Sequence, residues 1–262
     1  MGADIAQRWA EEYGYPFNDD WNLPAVMQYV GIKLKDFVTV KQRLARELGS
    51  MGEPPYEQPT QVHSLLARLP LKAYLTTNYD EFMSHALTRA NRRPVSAIFP
   101  WYRGAEVDLD TSLPDGYEPH EERPLVYHLH GNLYRPASMV LAEQDYVEFL
   151  VNLATDIAAD TPRRLPTQVL LAMTRKPLLF IGYSLRDWSF RMLFHGLIEA
   201  VPLVQQRRHI SVQLTPGTGI ADPKAQRAQD YLTDYFAKLN ITVYWGSAQA
   251  FCAELGRRLE TR

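Results

Sequence analysis

Three short stretches decide the fold: Lys72–Thr77 (KAYLTT), Pro124–Leu129 (PLVYHL) and Lys176–Ile181 (KPLLFI). Each is bounded by turn or polar residues and rich in aliphatic or β-forming residues, which is typical of a buried strand. Two further strands are predicted at Arg208–Leu214 and Ile241–Trp245. Because helical patterns separate these strands, we expect an α/β fold with a Rossmann-like parallel sheet, helices on both faces and a smaller helical or irregular module.

Apolar residues at helical spacing predict the helices that surround these strands. We expect one α/β domain over residues 1–262, with a helical N-terminal part at 1–70 and an irregular insertion at 91–123. Aromatic residues in this insertion, Trp101 and Tyr102, would either cover the core or stack on a ligand. The predicted helices are 3–13, 24–48, 62–69, 81–90, 138–159 with a break near Glu143, 165–174, 184–200, 221–239 and a last one that starts at about Ser247, which fits an N-cap.

The composition excludes several classes of protein. The formal net charge is −2 and the basic residues form scattered pairs, which gives no case for direct nucleic-acid binding or for an anionic membrane surface. The single cysteine, Cys252, cannot form an internal disulfide or a cysteine-cage zinc site. No stretch reaches the ~20 apolar residues of a membrane-spanning helix, and the N-terminus lacks signal-peptide features. We therefore expect a cytoplasmic protein that holds no metal.

Polar side chains collect where the first three strands end. Thr77, Asn78 and Asp80 follow the first strand, His130 follows the second, and the third runs into Gly182-Tyr183-Ser184. In open α/β sheets, ligands bind at the edge formed by the carboxyl ends of the strands. We therefore expect one ligand pocket at this edge.

Each of these segments also has a purely structural interpretation. Asp80 could cap the next helix, Gly182 could be a turn glycine, and Ser184 could be a helix cap. In functional terms, a loop that enters a helix presents N–H groups to a phosphate, and a histidine at a strand end can act as a general base near neutral pH. His130 is the sharpest signal, with His128 on the same face of the strand one pleat earlier.

The motifs resemble those of the sirtuin family, in the same order and with comparable spacing. TTNYD (76–80) is similar to the TQNxD-type segment, HLHG (128–131) to the histidine–glycine at a strand end, and GYS (182–184) to the GTS-type nucleotide loop. The longer form GYSLRDWSFR looks most like the sirtuin-like domains of bacterial antiphage and effector proteins, which consume NAD. Deacylase sirtuins carry two cysteine pairs for zinc, so one cysteine argues against protein deacylation of that type.

This resemblance implies NAD as the substrate, a role for each motif residue, and two competing functions. The leading expectation is an NAD glycohydrolase of antiphage defence that releases nicotinamide and an ADP-ribose species, and the alternative is a sensor or scaffold that binds NAD or ADP-ribose without turnover. A homo-oligomer or an activating protein partner is also expected. By position, Asn78 would order a water or the ribose, and His130 would be the base. Thr77 and Asp80 would support the ribose pocket. Contacts to the phosphates or the adenosine ribose would come from Gly182, Tyr183 and Ser184, and contacts to the adenine end from Gly246 and Ser247.

The chain departs from the family pattern at its start. The family opens with a strand and a glycine-rich GAG-type loop that cradles the pyrophosphate, whereas this sequence opens with MGADIAQRWAEEYGYPF. We expect either that the gene product continues upstream or that the phosphate-binding element is missing.

Overall fold

The computed structural model describes residues 2–58, 60–102, 113–158, 165–182, 207–215 and 223–260. Contacts divide the chain into two compact units, one of Met1–Pro54 with Leu71–Leu165 and one of Pro55–Pro70 with Pro166–Arg262. In chain order the described elements are α1 (Gly2–Tyr13), α2 (Leu23–Leu34), α3 (Phe37–Gly49), α4 (Val62–Ala67), β1 (Ala73–Thr76), α5 (Phe82–Arg89), β2 (Val95–Ile98), β3 (Leu125–His128), α6 (Glu143–Ala158), α7 (Thr167–Arg175), β4 (Leu179–Ile181), β5 (His209–Gln213), α8 (Pro223–Ala237), β6 (Ile241–Trp245) and α9 (Ala248–Glu260).

Each unit contains a three-stranded sheet in which every pairing is parallel. The strand order is β1-β3-β2 in the first unit and β4-β5-β6 in the second. The predicted α/β class with Rossmann-like parallel pairing is therefore confirmed. The assignment of residues 1–262 to one domain stays a prediction.

Helices α1, α2 and α3 of the first unit share one apolar core. Trp9, Met27 and Leu44 lie in this core and are at most 1% exposed. The prediction of one helix over 24–48 is wrong, because the chain turns between α2 and α3. Lys35 adopts a left-handed conformation (φ 55°), and the Asp36 carboxylate then accepts the Thr39 N–H at 2.9 Å to cap α3.

The central strand of the first sheet, β3, is buried along its whole length because it pairs with β1 on one side and β2 on the other. Strand β2 lies inside the segment 91–123 that was predicted to be irregular, and here that prediction is wrong. Its four residues lie between Pro94 and Pro100, which makes the run too short to show a strand period. Residues 103–112 of the same segment lie outside the described residues.

The second unit follows the predicted pattern closely. Strand β6 has the predicted bounds, β4 and β5 lie inside their predicted stretches, and α4 from the N-terminal part packs against α9. Cys252 on α9 is 2% exposed, and burial raises the pKa of its thiol. The predicted helix 184–200 lies outside the described residues.

Candidate functional site

The first two polar segments meet at the carboxyl edge of the first sheet. Thr76 of β1 and His128 of β3 are register partners on adjacent strands. Asn78 and His130 each lie two residues beyond that pair. Because neighbouring strands are about 4.8 Å apart, both loops leave the sheet side by side. The structure thus brings Asn78 and His130 to one edge, as the sequence predicted.

Short hydrogen bonds fix the loop between β1 and α5. The Asn78 N–H donates to Thr76 Oγ1 at 3.0 Å, and Asp80 Oδ1 accepts the N–H of Phe82, the first residue of α5, at 3.1 Å. The Asp80 carboxylate therefore satisfies a backbone donor at the helix start, which is its structural interpretation. The Asn78 side chain remains exposed at the tip of the loop.

Tyr79 ties the same loop to the chain that follows β3. Its carbonyl accepts the Leu133 N–H at 2.9 Å, and its hydroxyl donates to the Val140 carbonyl at 2.6 Å. Burial of the Tyr79 phenol raises its pKa well above the ordinary value. The neighbours of Asn78 are therefore held on both sides, so the exposed amide sits on a rigid support.

His130 lies against aromatic rings of α6. Its ring meets Tyr146 and Phe149 edge to face, with centroids 5.4 and 4.7 Å away, and the residue is 9% exposed. Its carbonyl accepts the Val140 N–H at 2.9 Å. The ring orientation is therefore set by packing, and only a small part of the residue reaches solvent.

The residue after His130 must be a glycine. Gly131 has φ +84°, and a Cβ there would lie 2.1 Å from the Ser138 carbonyl oxygen. The Ser138 hydroxyl also accepts the Asn132 N–H at 3.1 Å. The chain after β3 thus folds tightly over the site, which explains the glycine in HLHG.

Sequence reasoning missed a polar cluster behind Asn78. His128 is fully buried, with Nδ1 3.3 Å from the Asn78 carbonyl oxygen and Nε2 3.3 Å from Glu81 Oε1. Asn132 Nδ2 donates to the same Glu81 oxygen, and Ser96 Oγ lies 3.3 Å from it. Burial acts to raise the pKa of Glu81, but the contacts with His128, Ser84 and Asn132 together outweigh burial and lower it. The sequence signal that could have indicated this cluster is a polar residue directly after each motif, Glu81 after TTNYD and Asn132 after HLHG.

The remaining predicted site residues belong to the second unit. Gly182 follows β4 with φ +80°, and no described atom lies within 4 Å of a Cβ placed there. Tyr183 and Ser184 lie outside the described residues. Gly246 follows β6 and donates its N–H to the Gln213 carbonyl at 2.7 Å. Ser247 Oγ accepts the Ala250 N–H at 3.0 Å, which confirms the predicted N-cap.

Trp101 covers the core and is not presented to a ligand. It is 3% exposed, its indole N–H donates to the Ser138 carbonyl at 2.7 Å, and its own carbonyl accepts from Asn152 Nδ2 at 2.9 Å. Of the two interpretations of this aromatic residue, the structural one is confirmed.

The described part of the chain offers neither a metal-binding cluster nor a membrane-spanning helix. Within it, no three His, Cys, Asp or Glu side chains cluster closely enough to hold a metal ion. Among the helices described, none combines the length and the apolar character needed to cross a membrane.

Comparison with known proteins gives one family and a set of distant relatives. The family model described as "SIR2-like domain" matches residues 72–244. The NAD(+) hydrolase ThsA of Bacillus cereus (strain MSX-D12) is 27% identical over 151 residues, which is 57% of this chain and 27% of that protein. The NAD(+) hydrolase ThsA of Cytobacillus dafuensis is 28% identical over 133 residues, 50% of this chain and 22% of that protein. A third, from Acinetobacter baumannii (strain 532279), is 25% identical over 147 residues, 56% of this chain and 25% of that protein.

These matches confirm the resemblance to sirtuin-like, NAD-consuming domains. The chain spans about a quarter of the length of the curated relatives it matches. The matched segment includes the Asn78 loop, His130 and the strands of both sheets.

Proposed function

Since the chain belongs to the family of SIR2-like domains, we propose that it hydrolyses NAD to nicotinamide and an ADP-ribose species in bacterial antiphage defence. The observation that carries this proposal is the placement of Asn78 and His130 two residues beyond a register pair of adjacent parallel strands. The relatives named NAD(+) hydrolase support the choice of substrate.

The reaction needs little covalent help from the protein. The bond between the ribose C1′ and the nicotinamide nitrogen breaks, its electron pair goes to the nicotinamide, and positive charge builds on the ribose. A water oxygen then bonds to C1′ and releases a proton. Oriented polar groups and a base in a sheltered pocket accelerate such a step.

The residues of the first unit fit these requirements. The exposed Asn78 amide, on its loop, would orient the water or the ribose, and His130 would accept the proton released by the attacking water. Thr77 and Asp80 would lie beside the ribose. For the second unit, we propose that Gly182, Tyr183 and Ser184 contact the phosphates or the adenosine ribose and that Gly246 and Ser247 meet the adenine end.

The test follows free nicotinamide by chromatography after incubation with NAD. Wild type should release nicotinamide, whereas Asn78→Ala and His130→Gln should each reduce the rate about 10²- to 10⁴-fold, the usual contribution of a positioned base or polar group. Asn18→Ala and His120→Ala replace the same residue types at exposed positions and should match wild type. Equal release from His130→Gln and wild type would reject His130 as the base.

The burial of His130 favours a second candidate, a module that senses NAD or ADP-ribose without turnover. A base that is 9% exposed and enclosed by Tyr146 and Phe149 has limited access to a substrate. Calorimetry separates the two functions, because a sensor should bind NAD or ADP-ribose saturably and release no nicotinamide. These measurements should include a concentration series, since we also propose that a homo-oligomer or an activating partner controls the activity.

A further inference from the structure

We propose that His128 and Glu81 form a positioning pair. The pair holds the Asn78 carbonyl from the buried side of the loop and thereby fixes the Asn78 side-chain amide for the reaction. This inference rests on the proposed function, because it assigns to Asn78 a role at the reacting carbon. Neither residue touches the exposed edge of the loop: His128 is fully buried and the Glu81 side chain is 14% exposed.

Each nitrogen of the His128 ring lies near one oxygen atom. Nδ1 lies 3.3 Å from the Asn78 carbonyl oxygen and Nε2 lies 3.3 Å from Glu81 Oε1. Nδ1 can donate to the Asn78 carbonyl, whereas Nε2 makes no hydrogen bond within the described residues and faces the Glu81 carboxylate at ion-pair distance.

Glu81 in turn joins the elements that surround the site. Asn132, in the loop after β3, donates its amide to Glu81 Oε1, and Ser96 of β2 lies 3.3 Å from the same oxygen. The pair therefore connects the Asn78 loop to β3, to the loop that follows β3, and to β2. A network of this kind fixes a loop with more precision than contacts within the loop alone.

The two ring nitrogens allow a test that separates hydrogen bonding from packing. In His128→Asn the amide nitrogen occupies the place of Nδ1 and can still donate to the Asn78 carbonyl. In His128→Gln the amide reaches the place of Nε2 and leaves that carbonyl without its donor. Glutamine is closer to histidine in volume, so a packing role would favour His128→Gln instead.

The expected result is a loss in kcat with little change in KM, because the pair acts on the reacting end of the substrate. We expect His128→Gln to lower kcat on the order of 10²-fold, as a displacement of about 1 Å does, and His128→Asn to stay within about 10-fold of wild type. Glu81→Gln, which keeps its size, should lower kcat by about 10-fold and serves if neither His128 variant folds.

A matched control involves His85 of α5, the helix that begins after Glu81. His85 Nδ1 and Glu53 Oε1 form a second histidine–carboxylate pair at 2.7 Å, with side chains 40% and 44% exposed. Glu53→Gln should leave kcat and KM unchanged.

Hydrogen exchange followed by mass spectrometry provides a readout that needs no activity. Exchange across residues 77–80 should rise in His128→Gln and Glu81→Gln, rise less in His128→Asn and stay unchanged in Glu53→Gln. A wild type that releases no nicotinamide rejects the proposed function, while exchange still decides whether the pair holds the loop. Unchanged exchange in folded Glu81→Gln, or a His128→Gln variant equal to or better than His128→Asn, overturns the inference.

Discussion

Replacing Gly131 by alanine adds only one carbon atom, yet it should strongly destabilise the first unit for two separate physical reasons. The backbone there is left-handed, with φ +84°, which costs an L residue about 1–2 kcal/mol. The added Cβ would also lie 2.1 Å from the Ser138 carbonyl oxygen, a backbone atom that cannot rotate away. Forcing such a group into a packed site costs about 1–3 kcal/mol more.

Gly116 separates these two costs. It has φ +68°, and a Cβ there would meet no atom of the described residues within 4 Å. Gly116→Ala therefore reports the conformational cost alone. We expect Gly131→Ala to lower the free energy of unfolding by about 3–4 kcal/mol and Gly116→Ala by about 1–2 kcal/mol.

Urea unfolding of both variants and wild type, followed by far-UV circular dichroism, measures these differences. Thermal unfolding gives a second measure, since 1 kcal/mol corresponds to about 2–4 °C in a chain of this size. If the two alanine variants were equally stable, the close approach of Ser138 to Gly131 would be refuted. If neither differed from wild type, the left-handed conformations would be refuted as well.

The buried ion pair between Lys41 and Asp145, 2.9 Å long with side chains 11% and 8% exposed, should be costly to break from one side. Lys41→Met should reduce the free energy of unfolding by about 3–5 kcal/mol, because it leaves a buried carboxylate without its cation. The exposed control Arg89→Met should cost under about 1 kcal/mol. Equal losses in the two variants would contradict the burial of the Lys41–Asp145 pair. A pH titration of stability should show the role of Glu81, whose folded pKa lies below the ordinary 4.5 because contacts with His128, Ser84 and Asn132 together outweigh burial. The folded carboxyl binds its proton less readily than the unfolded one, so its contribution is complete above the unfolded-state pKa and is lost as the pH falls through the folded pKa. The stability difference between wild type and Glu81→Gln should therefore shrink below about pH 4.5, and a difference that grows with acid would contradict it.

Local sequence signals located most strands and the start of the last helix. Strand β6 shows β-branched and aromatic residues between Asn240 and Gly246, and its bounds matched the prediction. Ser247 was identified as an N-cap because the preference of serine for that position is local.

Features that depend on tertiary contacts could not be predicted in the same way. The turn between α2 and α3 contains neither glycine nor proline, so the sequence pattern did not indicate the left-handed conformation of Lys35. The contact between Glu81 and His128 joins residues 47 positions apart in the sequence, and its partners come from strands whose order was unknown. The Asn78–His130 edge was predictable because parallel strands place their carboxyl ends together.

The path of the chain through the two units has a consequence for folding during synthesis. Helix α4 is made before β1, yet the helix it packs against, α9, ends the described chain. Leu65, Leu66 and Leu69 line a cavity with Cys252 and Leu255 that exists only once both helices are present. Until the ribosome has released α9, those three leucines have no such partner, so the nascent chain carries an apolar segment that holdase chaperones would bind. The second unit can therefore complete this part of its core only after α9 has been made, and the segment stays exposed during synthesis until then.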